Sequence, residues 1–212
     1  IADAIAIAAA ACKLSEVPSF TTEAVAEQNW VQLTQSQFDP IRVSERLWIV
    51  PSWHDAPDPA AINLILDPGM AFGTGSHPTT RLCLEWLERS VRPGESLLDY
   101  GCGSGILAIA GARLGACPVD GVDIDPQAVL AAEANAQRNN VSARFFDSTR
   151  PISACYDRVV ANILSNPLKV LAPAICGHVR AGGELALSGI LAEQAEELMA
   201  IYSEWIPLHV AD

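Results

Sequence analysis

Leu97-Leu98-Asp99-Tyr100-Gly101-Cys102-Gly103-Ser104-Gly105-Ile106-Leu107 is the stretch on which the fold turns. An apolar run, Ser96 to Asp99, ends in an acid. Three glycines follow at alternate positions, and an Ala/Ile/Leu-rich run then continues to about Leu114. The run reads as a buried strand and the rich tail as a helix. Glycine is the residue that lets a backbone turn sharply between the two and pass close to a ligand.

The same alternation extends outward. Ile62 to Leu66, Pro118 to Ile124, Ala143 to Phe146, Arg158 to Ile163 and Gly183 to Ser188 are short strand-like runs. Trp205 to Val210 begins a further one. Helices are expected over Thr79 to Glu88, after Asp125-Pro126 and after Asn166-Pro167. Asp before Pro is a helix start, with Asp as cap and Pro at the first helical position. Leu191, Ala195, Leu198, Met199 and Tyr202 share one face of a last helix. Strands separated by helices give an α/β fold with a mostly parallel sheet and helices on both faces. Ligands in such sheets bind at the carboxyl ends of the strands, where strand order reverses.

Upstream the pattern differs. Ile1 to Leu14 is Ala-rich and reads as a helix, and Ser19 to Val25 as a short strand. Two elements make no core of their own, so residues 1–26 read as the end of a small domain. Residues 27–60, rich in Trp and Pro, read as a linker and lead-in segment with one strand near Arg46 to Val50. The main domain is expected over 61–212, cut short at its carboxyl end.

Composition narrows the function classes. The chain has 212 residues, half of them apolar, and a formal net charge of −12. That charge argues against a nucleic acid held on a basic face and suits a basic protein partner. No apolar run reaches membrane-spanning length. The six cysteines include no Cys-x-x-Cys pair, so free thiols in a reducing cytoplasm are expected and no metal site is.

Four motifs carry chemistry. The glycine spacing is G-x-G-x-G, with Ile106 where a dinucleotide fingerprint needs its third glycine; this speaks against a nicotinamide oxidoreductase. Methyltransferases use the shorter form, with Asp99 near the methionine amino group of S-adenosylmethionine and Gly101 and Gly103 under the ligand. In Gly121-Val122-Asp123-Ile124-Asp125, an acid at the tip of the next strand can accept both ribose hydroxyls. Pro126 marks Asp125 as the helix cap, leaving Asp123 as the ribose ligand. Val160-Ala161-Asn162-Ile163-Leu164 ends a strand where amine methyltransferases often place an Asn, followed by prolines and an aromatic, whose carbonyl accepts a hydrogen bond from the amine; that makes Asn162 the candidate catalytic residue, although Ile-Leu-Ser-Asn-Pro follows it here. Finally, Leu66 to Thr80 is a Gly/Thr-rich loop containing Phe72 and Gly73, with Thr80 on the first turn of the following helix in reach of the cofactor carboxylate. His77 has no second His or Cys at ligand spacing, so a capping role is expected.

Taken together, LDPGMAFGTGSHPTTRLCLEWLE, LLDYGCGSGILAIA, GVDIDPQAV, VVANIL and LALSGIL resemble the bacterial ribosomal protein L-eleven methyltransferase family, with Ser76 where the family has Thr. The resemblance implies a seven-stranded class I, Rossmann-like methyltransferase domain preceded by a small α/β recognition domain. It implies S-adenosylmethionine as cofactor, held at Thr80, Gly101, Asp123 and Asn162. The substrate would be ribosomal protein L-eleven, methylated on its N-terminal α-amine and lysine ε-amines by a monomeric cytoplasmic enzyme that binds neither nucleic acid nor membrane. A methyltransferase acting on another protein or on a small molecule is the alternative.

Overall fold

The computed structural model describes residues 2–14, 16–21, 38–67, 77–150 and 152–210. By contacts the chain forms two units, Ile1–Gln37 and Phe38–Asp212.

In the first unit, α1 spans Ala2–Ala11. It stops before the expected Leu14 because Lys13 adopts a left-handed conformation, φ 55°. The Leu14 N–H then reaches back to the Ala9 carbonyl at 3.0 Å and closes the helix end. The strand expected at Ser19–Val25 falls mostly outside the described residues.

The second unit contains two sheets. The smaller has three strands: β1 (Ile41–Arg42), β2 (Leu47–Val50) and β3 (Ile62–Ile65), β2 pairing antiparallel to β1 and parallel to β3. The main elements follow: α2 (Pro78–Ser90), β4 (Leu97–Tyr100), α3 (Ile106–Arg113), β5 (Val119–Asp123), α4 (Pro126–Arg138), β6 (Arg144–Asp147), β7 (Tyr156–Asn162), α5 (Ser165–Gly177), β8 (Val179–Ser188) and α6 (Ala195–Tyr202). The strand order is β6-β5-β4-β7-β8, every pair parallel. The chain steps outward from β4 to β6, then crosses back to β7 on the other side of β4. The reversal therefore lies between β4 and β7, and the carboxyl ends there are Tyr100 and Asn162.

Alternation along the strands builds a core on each face. Leu97, Phe145 and Val160 pack with Leu84 and Leu87 of α2, Ile109 of α3 and Ala132 of α4. Leu98, Val122 and Val159 pack on the other face with Leu168 and Ile175 of α5 and Leu198 of α6. Burying each Leu or Ile contributes about 1.5–3 kcal/mol, and two packed faces hold the strand ends in fixed positions.

The main sheet thus has five strands among the described residues, not seven. Trp205 to Val210 does not form a strand: the N–H groups of Trp205 and Ile206 both turn back to the Tyr202 carbonyl, at 2.9 and 2.8 Å, and Pro207 has no N–H to offer a neighbour.

Candidate functional site

Gly101, Gly103 and Gly105 all lie at positive φ, 82°, 52° and 78°. An L side chain is strained there. Space forbids one as well: a Cβ on Gly101 would stand 2.3 Å from Cγ2 of Ile163, and one on Gly105 2.8 Å from Cβ of Ala132. Gly105 is also the left-handed N-cap of α3. The tight turn brings Gly101, Cys102 and Gly103 across from Thr80 and Asn162, and with Ile106 and Leu107 these line one narrow cleft of about 20 Å³ at the reversal point.

Asp99 is the third residue of β4 and is 1% exposed. Its Oδ2 accepts the Ala108 N–H at 3.0 Å, whereas Oδ1 is buried with no partner among the described residues. Burial pushes its carboxyl up to about 7; the Ala108 hydrogen bond pulls the other way and the nearby Asp123 adds to the rise. A buried acid with an unmet oxygen suits a cationic ligand, because pairing would restore the ionised form.

Asp123 ends β5. Its Oδ2 accepts the Gly103 N–H at 2.8 Å and its Oδ1 the Asp125 N–H at 2.9 Å. Each oxygen keeps a second lone pair, so the carboxylate is oriented yet still able to accept. Asp125 caps α4 through the Gln127 N–H at 2.9 Å.

Asn162 ends β7. Its Nδ2 donates to Thr80 Oγ1 at 3.4 Å, and its Oδ1 is buried without a partner among the described residues. Thr80 is 1% exposed on the first turn of α2. His77 is the N-cap of that helix, its Nδ1 accepting the Thr79 N–H at 3.3 Å. Thr80, Gly101, Gly103 and Asn162 therefore share the cleft, while Asp99 and Asp123 stand beside the glycine turn. Phe72 and Gly73 lie outside the described residues.

Some contributors are not legible from motifs. Cys102, Ile106 and Leu107 line the cleft, but apolar residues in a helix carry no signal beyond core packing. Burial holds the Cys102 thiol far above its usual pKa, so it is no nucleophile. Asn135 of α4 donates to the Ser104 carbonyl at 2.9 Å and so pins the glycine turn. Asn139, one turn later, pairs with both backbone groups of Ile65, at 2.7 and 2.8 Å. Asp147 ends β6 in register with Asp123. An acid closing an apolar strand, the signal that marks Asp99 and Asp123, would have found it. Among the described residues no group of three or more His, Cys, Asp or Glu could hold a metal, and no helix is long and apolar enough to cross a membrane.

The family model described as Ribosomal protein L11 methyltransferase (PrmA) matches residues 1–211. A ribosomal protein L11 methyltransferase of Dechloromonas aromatica is 76% identical over 208 residues, which is 98% of this chain and 70% of that protein. Its counterpart in Thiobacillus denitrificans is 62% identical, over 97% of this chain and 69% of that protein. Among solved structures, a ribosomal protein L11 methylase from Lactobacillus delbrueckii subsp. bulgaricus superposes with TM-score 0.72 at 33% identity, covering 79% of this chain and 87% of that one.

Proposed function

The chain belongs to the ribosomal protein L11 methyltransferase family, and from that premise we propose that it transfers methyl groups from S-adenosylmethionine to the N-terminal α-amine and lysine ε-amines of ribosomal protein L11. The observation that carries the reading is a pair of buried, unmet acceptors, Asn162 Oδ1 on a residue that lines the cleft and Asp99 Oδ1 on the strand that leads into its glycine turn. Buried polar atoms are ordinarily hydrogen-bonded, so two unmet ones at a strand-order reversal point to ligands.

The residues divide the work. Asp99 would pair with the methionine ammonium of the cofactor, Asp123 would accept the ribose hydroxyls, and Gly101 and Gly103 would let the backbone approach. Thr80 would reach the cofactor carboxylate, and the AFGTG loop with Phe72 and Gly73 is assigned to the same ligand. The cleft is narrow and must widen on binding. When bound, the cofactor supplies an electrophilic methyl on a sulfonium.

What the protein must supply is an aligned, neutral amine. A lysine ammonium near pKa 10.4 has no lone pair, and an α-ammonium near 8 loses its proton more readily. Exclusion of water lowers either value. Asn162 Oδ1, a neutral acceptor, would take an amine N–H and turn the lone pair toward the methyl, while Thr80 holds the amide the right way round. Alignment of this kind lowers the barrier without a dedicated base.

In the same reading residues 1–26 belong to a substrate-recognition domain, 27–60 to a linker and entry segment and 61–212 to the catalytic domain. The enzyme acts as a monomer in the cytoplasm, where its substrate is made, without contacting nucleic acid. Mass spectrometry of L11 after incubation with the protein and cofactor tests the proposal: additions of 14 Da at the N-terminus and at lysines are expected. Unmodified L11 alongside a labelled metabolite or another labelled protein would remove the substrate assignment. Unmodified products throughout would remove the activity.

A further inference from the structure

On the sheet face that carries α5 and α6, the edge strand β6 and its neighbour β5 are covered differently from the centre. The connection from β6 to β7 contains no helix among its described residues. Between this connection and the sheet lies a cavity of about 190 Å³, lined by Asp120, Arg144, Phe146, Arg150, residues 152–154 and Tyr156. It shares no residue with the cleft described above.

The floor is rigid and polar. The Asp120 side chain is 3% exposed. It accepts Arg144 Nε at 2.7 Å, Arg144 Nη2 at 2.8 Å and the Tyr156 hydroxyl at 2.6 Å. Three donors occupy this carboxylate and hold the planar guanidinium in one orientation, with Nη1 left over. Arg150 stacks over the Phe146 ring at 4.7 Å, and Arg144 stands 5.8 Å from the same ring. Arg150 has no carboxylate within 4.0 Å among the described residues. The other acid of the strand, Asp147, is engaged by the Thr149 N–H and hydroxyl. The cavity therefore presents two guanidinium groups, one acid that already accepts three hydrogen bonds, and an apolar wall of Phe146 and Ile152. Asp120 and Asp147 balance the two charges, but the N–H donors that Arg144 and Arg150 keep beyond these pairings suit an anion.

We propose that this cavity is a second binding site, for an oxyanion on a small apolar body. A carboxylate or phosphate monoester sits between Arg144 and Arg150, and the body lies against Phe146 and Ile152. The site is independent of the methyl-transfer reading.

Titration calorimetry of the full chain with benzoate, phenyl phosphate and neutral benzyl alcohol tests it, with Arg side-chain NMR locating the contact. At least one of the two anions binds with one-to-one stoichiometry and shifts the Arg144 and Arg150 resonances. Arg150→Gln weakens that binding by roughly tenfold or more, as loss of a charged hydrogen-bond donor does. Arg150 is exposed, so the variant keeps its melting temperature. Stronger binding of benzoate identifies a carboxylate ligand, and stronger binding of phenyl phosphate a phosphate ester. Absence of binding by both anions, equal binding of benzyl alcohol, or unchanged affinity in Arg150→Gln overturns the proposal.

Discussion

The two ends of the main sheet hold their buried polar groups in opposite ways. At the amino end the buried charged groups are paired, although Ser90 Oγ is left without a partner among the described residues. Arg158, 8% exposed, donates twice to the Ser90 carbonyl, at 3.1 and 3.0 Å, and once to Glu95 at 3.2 Å. Asp157 accepts the Ser96 N–H and hydroxyl at 2.9 and 2.7 Å and pairs with Arg180. At the carboxyl end Asp99 and Asn162 each keep a buried oxygen unmet, and the connecting turn needs three left-handed glycines. Paired groups stabilise the fold. Unmet buried groups cost stability, and we propose that Asp99 and Asn162 keep theirs for a ligand.

That contrast can be broken from either side, and the largest effect is expected at the amino end. Arg158→Ala leaves Glu95 and the Ser90 carbonyl without their buried partner and should lower stability by about 3–5 kcal/mol. Urea unfolding measures it; cofactor affinity in the surviving folded fraction should be unchanged. An equal loss of cofactor affinity would mean that the two ends are not separable.

Asp99→Asn should do the reverse. Removing the charge that pairs with a cationic ligand should cost about 1.5–3 kcal/mol of cofactor affinity, read by calorimetry. Stability of the unliganded protein should rise, because the buried acid is held at about 7 against an ordinary 3.8. The folded state then keeps a proton that the unfolded state has lost, so the wild type loses stability as pH climbs from about 4 to about 7. The Asn variant should lack that decline in thermal melts. The same linkage makes wild-type cofactor affinity rise with pH up to about 7 and level off above it; a flat profile would remove Asp99 as the cation's partner.

Asp123→Ala should weaken cofactor binding by about 2 kcal/mol, through lost ribose contacts and a freed Gly103 N–H. Equal affinity would sink the ribose assignment. The smallest effect is expected at Asn135→Ala, where the glycine turn loses its tie to α4. About 1 kcal/mol should appear as a raised cofactor KM with kcat little changed.

Much of this molecule is readable without coordinates. The glycine turn, the acids closing β4 and β5, the Asp125 cap and the helix after Asn162 all rest on local rules, in which a residue's neighbours fix its conformation. Their bounds shift by a residue or two, as helix and strand ends fray. The reading fails where pairing decides. Trp205 to Val210 has strand-like residues, but their N–H groups found the Tyr202 carbonyl first. Asn135 and Asn139 look like ordinary polar helix residues, yet they reach Ser104 and Ile65, which lie 31 and 74 positions away.

By itself, then, the sequence determined the alternation of strands and helices, the left-handed turn at Gly101 to Gly105, and which side chains stand at strand tips, because these follow from steric freedom and periodicity along the chain. Tertiary structure alone decided that Thr80 meets Asn162, that Asp99 and Asn162 keep an oxygen unmet while Arg158 and Asp120 are paired, and that Arg144, Arg150 and Phe146 line one cavity. Those are outcomes of burial and of contacts between distant segments, and no local pattern encodes which buried groups will find partners.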